Sequence, residues 1–178
     1  SPLNMLLAIF TVFGIGMCLK PFLRAPTKHW GGLLSLVLVT SLGVWSGMNG
    51  HLDAYLFGWF IPMAVAAASG AYLFYAQHNY PGVQVADRSS WTFSGAAIDS
   101  SSYMKMGFFM NWMTANIGFH HVHHLNATIP FYRLPEAMAG IPELQHPGVT
   151  TWSPRDIVAA LKLKLWDPEK HEMVGYPH

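Results

Sequence analysis

Apolar residues dominate the first 77 positions of this chain, and polar residues become frequent only after them. Three apolar segments stand out. Trp30 to Met48 and Ala54 to Tyr75 each have about the 20 residues that cross about 30 Å of hydrocarbon at 1.5 Å per helical residue. Leu3 to Leu19 is at the short end of that range. Small residues such as Gly31, Gly32, Ser35, Ala66, Ala67 and Gly70 suit close packing between membrane helices, and Trp30, Trp45, Trp59, Tyr72 and Tyr75 can anchor helix ends at an interface. Gln77 to Gly82 closes the third segment, with Pro81-Gly82 as a stop and turn. Beyond it, Met106 to Leu125 reads as one further amphipathic helix. Ser153-Pro154-Arg155-Asp156 starts another, which runs to about Trp166, with an N-cap serine and proline at the first helical position. That helix is apolar on one side and carries Lys162 and Lys164, a pattern that fits either the headgroup layer or packing on a neighbouring domain. The pattern predicts an all-α integral membrane protein. Residues 1–77 supply two to three membrane-embedded helices (30–48 and 54–75 spanning, 1–19 spanning, interfacial or re-entrant), and residues 78–178 form a helical cytoplasmic cap.

Charge refines this picture. Only 11% of residues are charged and 52% are hydrophobic, against about 25% charged in ordinary soluble domains. Eight of the nine carboxylates lie after residue 80, and only Asp53 precedes it. Such long uncharged stretches argue against buried helices of a soluble protein. The net charge of +1 gives no support to nucleic-acid binding, and the single cysteine, Cys18, rules out an internal disulfide or a cysteine metal site. The start shows no basic, cleavable signal pattern. Lys20, Arg24 and Lys28 mark the loop between the first two segments as cytoplasmic. The second segment then leads out, Asn49 to Asp53 lies outside, and everything from Gln77 onward faces the cytoplasm.

The chemistry concentrates in His120-His121-Val122-His123-His124. On a helix, His120, His123 and His124 stand at i, i+3 and i+4 and share a face. Neutral imidazoles converging there suit iron, zinc or copper. Asn116 lies one turn earlier, within reach of a ligand imidazole or simply packed. His78 falls at the cytoplasmic tip of the third apolar helix.

These residues carry a resemblance. Phe74-Tyr75-Ala76-Gln77-His78, Asn111 through Leu125, and Ile129-Pro130-Phe131-Tyr132-Arg133-Leu134-Pro135-Glu136 resemble the integral-membrane fatty acid desaturases, best the bacterial acyl-lipid or acyl-CoA enzymes. The tail Leu163 to Pro168 is similar as well. In that family three histidine boxes and one extra histidine bind metal. The resemblance implies that His120, His123 and His124 are the third box and His78 the extra ligand, with His121 at a variable position. The sequence has no H-x-x-x-H box and no second H-x-x-H-H box, and His29, His51, His146, His171 and His178 are isolated. Four ligands cannot fill two iron spheres. The chain is therefore expected to be the C-terminal portion of such an enzyme and inactive alone, and the family's layout favours the interfacial or re-entrant reading of Leu3 to Leu19.

The resemblance further implies a di-iron centre that uses O2 to place a cis double bond in a fatty acyl chain, acyl-lipid or acyl-CoA. Ferredoxin or cytochrome b5 would supply electrons, membrane lipids would surround the helices, and the bacterial inner membrane is the expected location. Arg133, Lys162 and Lys164 are candidates for docking an acidic donor. Three other readings remain open: a carotenoid or alkane oxygenase of the histidine-box type, a non-enzymatic bis-histidine haem or quinol subunit, and an inert fragment.

Overall fold

A computed structural model describes residues 2–177, which divide into two compact units meeting between Leu73 and Phe74. The first unit is helical nearly throughout. The chain runs as Pro2–Leu6, a stretch of wide turns over Ile9–Leu19, and Lys20–Arg24. The amide of Lys20 bonds the Ile15 carbonyl five residues back. Pro21 explains that last wide turn, because its ring collides with the carbonyl four residues earlier and the helix opens to make room. Ala25, at φ −149°, ends this stretch, and Pro26 opens the next helix, Pro26–Met48, which is kinked at His29. Gly50, at φ +75°, turns the chain back. A continuous helix then runs from Leu52 to His78. Its turn at Leu56–Phe60 is again wide, with the Ile61 amide on the Leu56 carbonyl, directly before Pro62.

Pro26–Met48 and Leu52–His78 are each long and apolar enough to cross a membrane, a turn or so longer than the sequence pattern marks out. Only 6% and 11% of their most apolar windows is buried. A soluble core helix would hide that surface, so its exposure favours contact with lipid. Within this unit small residues bring backbones together. A Cβ on Gly32 would lie 3.1 Å from the Cα of Cys18, and one on Gly43 would lie 2.9 Å from the Tyr55 ring. The elements enclose an apolar cleft of about 670 Å³, lined among others by Phe10, Phe13, Tyr55, Trp59 and Met63.

The second unit begins with the last turn of the long helix, Phe74 to His78. Short helices follow at Phe93–Asp99, Phe108–Met113, His120–Leu125, Leu134–Gly140 and Pro154–Lys162. Two strand pairs accompany them: Tyr103–Lys105 parallel to Val149–Thr151, and Leu165–Asp167 antiparallel to Glu172–Val174. The core is Phe119, Val122, Leu134 and Leu144, with Ile98, Tyr103, Leu125, Ile129 and Met138 against it. Ser153 caps the Pro154–Lys162 helix by accepting the Asp156 amide at 3.1 Å. At the other end, the Tyr75 hydroxyl and the Asn79 amide reach the carbonyls of Ala160 and Leu163.

Two helical expectations are corrected here. The helix from Ser153 ends at Lys162 rather than near Trp166, because the following residues pair as a strand. The single helix from Met106 to Leu125 is broken in two. Ala115 and Asn116 adopt φ of 50° and 54°, left-handed backbone that reverses the chain between Met113 and His120. Tertiary contacts hold that reversal: the Met104 amide bonds the Gly118 carbonyl at 2.8 Å, and Tyr103 bridges to Phe119.

Candidate metal centre

His120–Leu125 is six residues long, too short to be stable by itself. Its core face secures it. Phe119, Val122 and Leu125 stand three residues apart and pack into the cluster with Leu134 and Leu144. His121 is fully buried beside Val122, its Nε2 at 3.3 Å from the Leu144 carbonyl and its ring edge-on to Tyr103. It is a core residue. His120 and His124, at i and i+4, share the other face with His123.

His78 enters from the tip of the long helix, and the Nε2 atoms of His78, His120 and His124 form a nearly equilateral triangle. The edges are 3.0 Å (His78–His120), 3.1 Å (His78–His124) and 3.1 Å (His120–His124). A ring nitrogen either donates a proton or accepts one, never both. Three of them in a triangle therefore always leave at least one edge with two bare nitrogens or two N–H groups opposed. A cation among the lone pairs relieves all three edges together. The size also fits: a face of an octahedron with metal–nitrogen bonds of about 2.1 Å has edges of about 3.0 Å, and a tetrahedron has edges of about 3.4 Å. The triangle is closer to the octahedral face, so His78, His120 and His124 would hold a six-coordinate ion more readily than a four-coordinate one.

The surroundings prepare these imidazoles. His78 Nδ1 lies 3.0 Å from the Ser100 carbonyl, which requires the proton there and leaves Nε2 bare. Burial first, then the neighbouring imidazoles of His124 and His78, push the pKa of His120 down to about 3. His124 is lowered in the same direction, again by burial and then by His78 and His123. Both are neutral at physiological pH, the form that binds metal. His120 Nδ1 is buried with no hydrogen-bond partner among the described residues.

His123 stands apart from the triangle, its ring centroid 5.9 Å from that of His120 and 6.0 Å from that of His124. One helical turn plus one residue across from it fill a triangle of this size, and His123 is rotated about 100° along the helix from His124. None of His29, His51, His146 and His171 joins the group, and His178 lies outside the described residues. Asn116 donates to the Phe131 carbonyl at 3.0 Å rather than to an imidazole. Of the basic residues considered for a donor surface, Arg133 is committed to Glu136 through two 2.9 Å bonds. Lys164 sits on the Tyr75 hydroxyl and ring.

Two supporting residues carry no sequence signature. Ser100 acts through its carbonyl, and Gln77 is fully buried, its Nε2 donating to the Ile117 carbonyl at 2.8 Å. Their partners are distant in sequence and their groups are common, so only the fold reveals them.

Three imidazoles on one small triangle do not suit a bis-histidine haem, which takes one ligand from each side of its ring. Comparison with known proteins decides the family: the fatty acid desaturase model matches residues 4–155. The chain belongs to the fatty acid desaturase family. Over 112 residues it is 32% identical to a fatty acid desaturase of Bacillus subtilis (strain 168). That alignment covers 63% of this chain and 31% of the relative, so the chain spans about a third of its relative's length. No solved structure matches. The histidine triangle thus sits in a desaturase sequence.

Proposed function

We propose that this chain contributes part of the iron site of a membrane-bound fatty acid desaturase, with His78, His120 and His124 holding one iron and His123 facing a second. The observation that carries the reading is the 3.0–3.1 Å Nε2 triangle built from family-matched residues. When bound, iron of this kind supplies the O2-derived oxidising power needed to remove two hydrogens from unactivated methylenes. The protein's share is to hold that iron and to orient it. His78 presents a bare Nε2 because its ring proton sits on Nδ1 and donates to the Ser100 carbonyl. His120 is kept neutral by burial. The core face of the His120–Leu125 helix excludes water from one side, which limits side reactions of an oxidant. The apolar cleft of the first unit is suited to methylenes of an acyl chain, whether carried on a lipid or on coenzyme A. Electrons come from ferredoxin or cytochrome b5, and the histidines face the cytoplasm from the inner membrane.

Four histidines are too few for two irons, so the remaining ligands come from outside these 178 residues. This chain alone binds at most about one iron and forms no product. The test is desaturated lipid, measured by gas chromatography in a host expressing the full-length protein. His78→Ala, His120→Ala, His123→Ala and His124→Ala each abolish product, while His146→Ala and His171→Ala are nearly silent. An active His120→Ala enzyme, or appreciable product from this chain by itself, refutes the proposal.

A further inference from the structure

We infer that Gln77 is the positioning residue that sets the size of the histidine triangle, an inference that rests on the metal-site reading above. The triangle draws on two separate pieces of chain, the helix tip that ends in His78 and the helix that begins at His120. Gln77 ties them. Its side-chain amide donates to the Ile117 carbonyl at 2.8 Å, three residues before His120. Its own carbonyl accepts the Ser102 amide at 2.9 Å, two residues beyond the Ser100 carbonyl that orients His78. One side chain and one peptide group thus connect the helix tip to both the 100–102 segment and the left-handed reversal at 115–116. Gln77 is fully buried, and its Oε1 has no hydrogen-bond partner among the described residues.

A buried amide with an unmet acceptor is costly to keep for packing alone, since an apolar side chain of the same length fills the space without that penalty. The geometry gives the reason to keep it. Octahedral and tetrahedral edges differ by only about 0.4 Å, less than a loop shifts when its anchoring bond is lost. A methionine fills the volume of Gln77 with little strain, yet it leaves Ile117 without its donor.

The experiment is cobalt(II) titration of the full-length protein, wild type and Gln77→Met, followed by the d–d absorption bands and by thermal melting. Trp166→Ala, which removes a half-buried ring from the Leu165–Asp167 and Glu172–Val174 strand pair and touches neither the tie nor the core under the His120–Leu125 helix, is the comparison. The expected result is a loss of cobalt affinity of about 10- to 100-fold in Gln77→Met, with stronger d–d bands as the site departs from six-coordination. Trp166→Ala is expected to melt earlier and keep the wild-type spectrum. If Gln77→Met also melts early, its spectrum against that of Trp166→Ala decides. Wild-type affinity and bands in Gln77→Met, or bands changed equally in Trp166→Ala, overturn the positioning role alone. A wild type that binds no cobalt, or a His120→Ala variant that binds it as well, overturns the metal site and this inference with it.

Discussion

Gly118→Ala provides a direct test of whether loop position fixes the triangle. Gly118 lies two residues before His120, where its carbonyl accepts the Met104 amide at 2.8 Å. A Cβ there would meet the Met104 carbonyl oxygen at 2.5 Å and the Met106 methyl carbon at 2.8 Å. The methyl of Met106 can swing away, but the Met104 oxygen is backbone inside a strand pair and cannot. Ordinary contact between such atoms needs about 3.4 Å, so the loop must retreat by roughly 0.9 Å. That exceeds twice the difference of about 0.4 Å between octahedral and tetrahedral edges. The stability cost combines overpacking, about 1–3 kcal/mol, with a weakened backbone bond worth about 1 kcal/mol. We expect a total of about 2–4 kcal/mol and a metal affinity at least about tenfold lower. Thermal melting reads the first quantity, and bound iron per protein after dialysis against a chelator reads the second. A Gly118→Ala protein that melts early yet retains iron like wild type would show that the loop does not set the site.

Three further outcomes follow from the same geometry. His121→Leu should retain iron and melt close to wild type, because it removes only a 3.3 Å bond and an unpartnered buried nitrogen, while His121→Ala should lose about 2–4 kcal/mol to the cavity; loss of iron in His121→Leu would make that residue a ligand. For the metal-free protein, stability should fall as pH drops from about 6.5 toward 3: His120 has its folded pKa lowered from 6.5 to about 3, so in that window the unfolded chain binds the extra proton. Denaturant melts across that range check the sign, and a flat profile contradicts a neutral His120. Cysteines introduced at positions 20, 24 and 28 should be labelled from the same membrane face as one at position 123, the outcome that the proposed topology requires of the basic loop; labelling from opposite faces refutes the topology.

How much of this was legible in the sequence depends on how local each feature is. The apolar helices were readable because length and lack of charge are properties of contiguous segments. His120 and His124 were readable as a pair because i and i+4 share a helix face. His78 required the family resemblance, since 42 residues separate it from His120 and a lone helix-end histidine carries no signal. The break at Ala115 and Asn116 was not readable. Asparagine tolerates left-handed backbone, but alanine gives no hint of it, and the Gly118–Met104 bond that enforces the reversal is tertiary. The place of His121 was hidden for a similar reason: four histidines look alike in sequence, and only the neighbouring Leu144 and Tyr103 separate a core imidazole from those on the opposite face of the helix.

That separation also explains how so short a helix can hold a ligand set. Six residues gain little from helix propensity, so packing has to fix the orientation of His120–Leu125. Phe119 and Val122, both buried, and Leu125, half-buried, put one side into the core, where a fully buried side chain contributes about 1.5–3 kcal/mol and a half-buried one less. Rotation about the helix axis would pull these residues out, and the same rotation would carry His120 and His124 away from His78. The apolar stripe and the imidazole pair are opposite faces of one rigid body, so the free energy that buries the first also holds the second in place. The remaining freedom is translation relative to the tip that bears His78, and the bonds that oppose it run through Gln77, Ser102 and Gly118. Hydrophobic packing therefore sets the direction of the ligands, and a few buried backbone hydrogen bonds set their spacing.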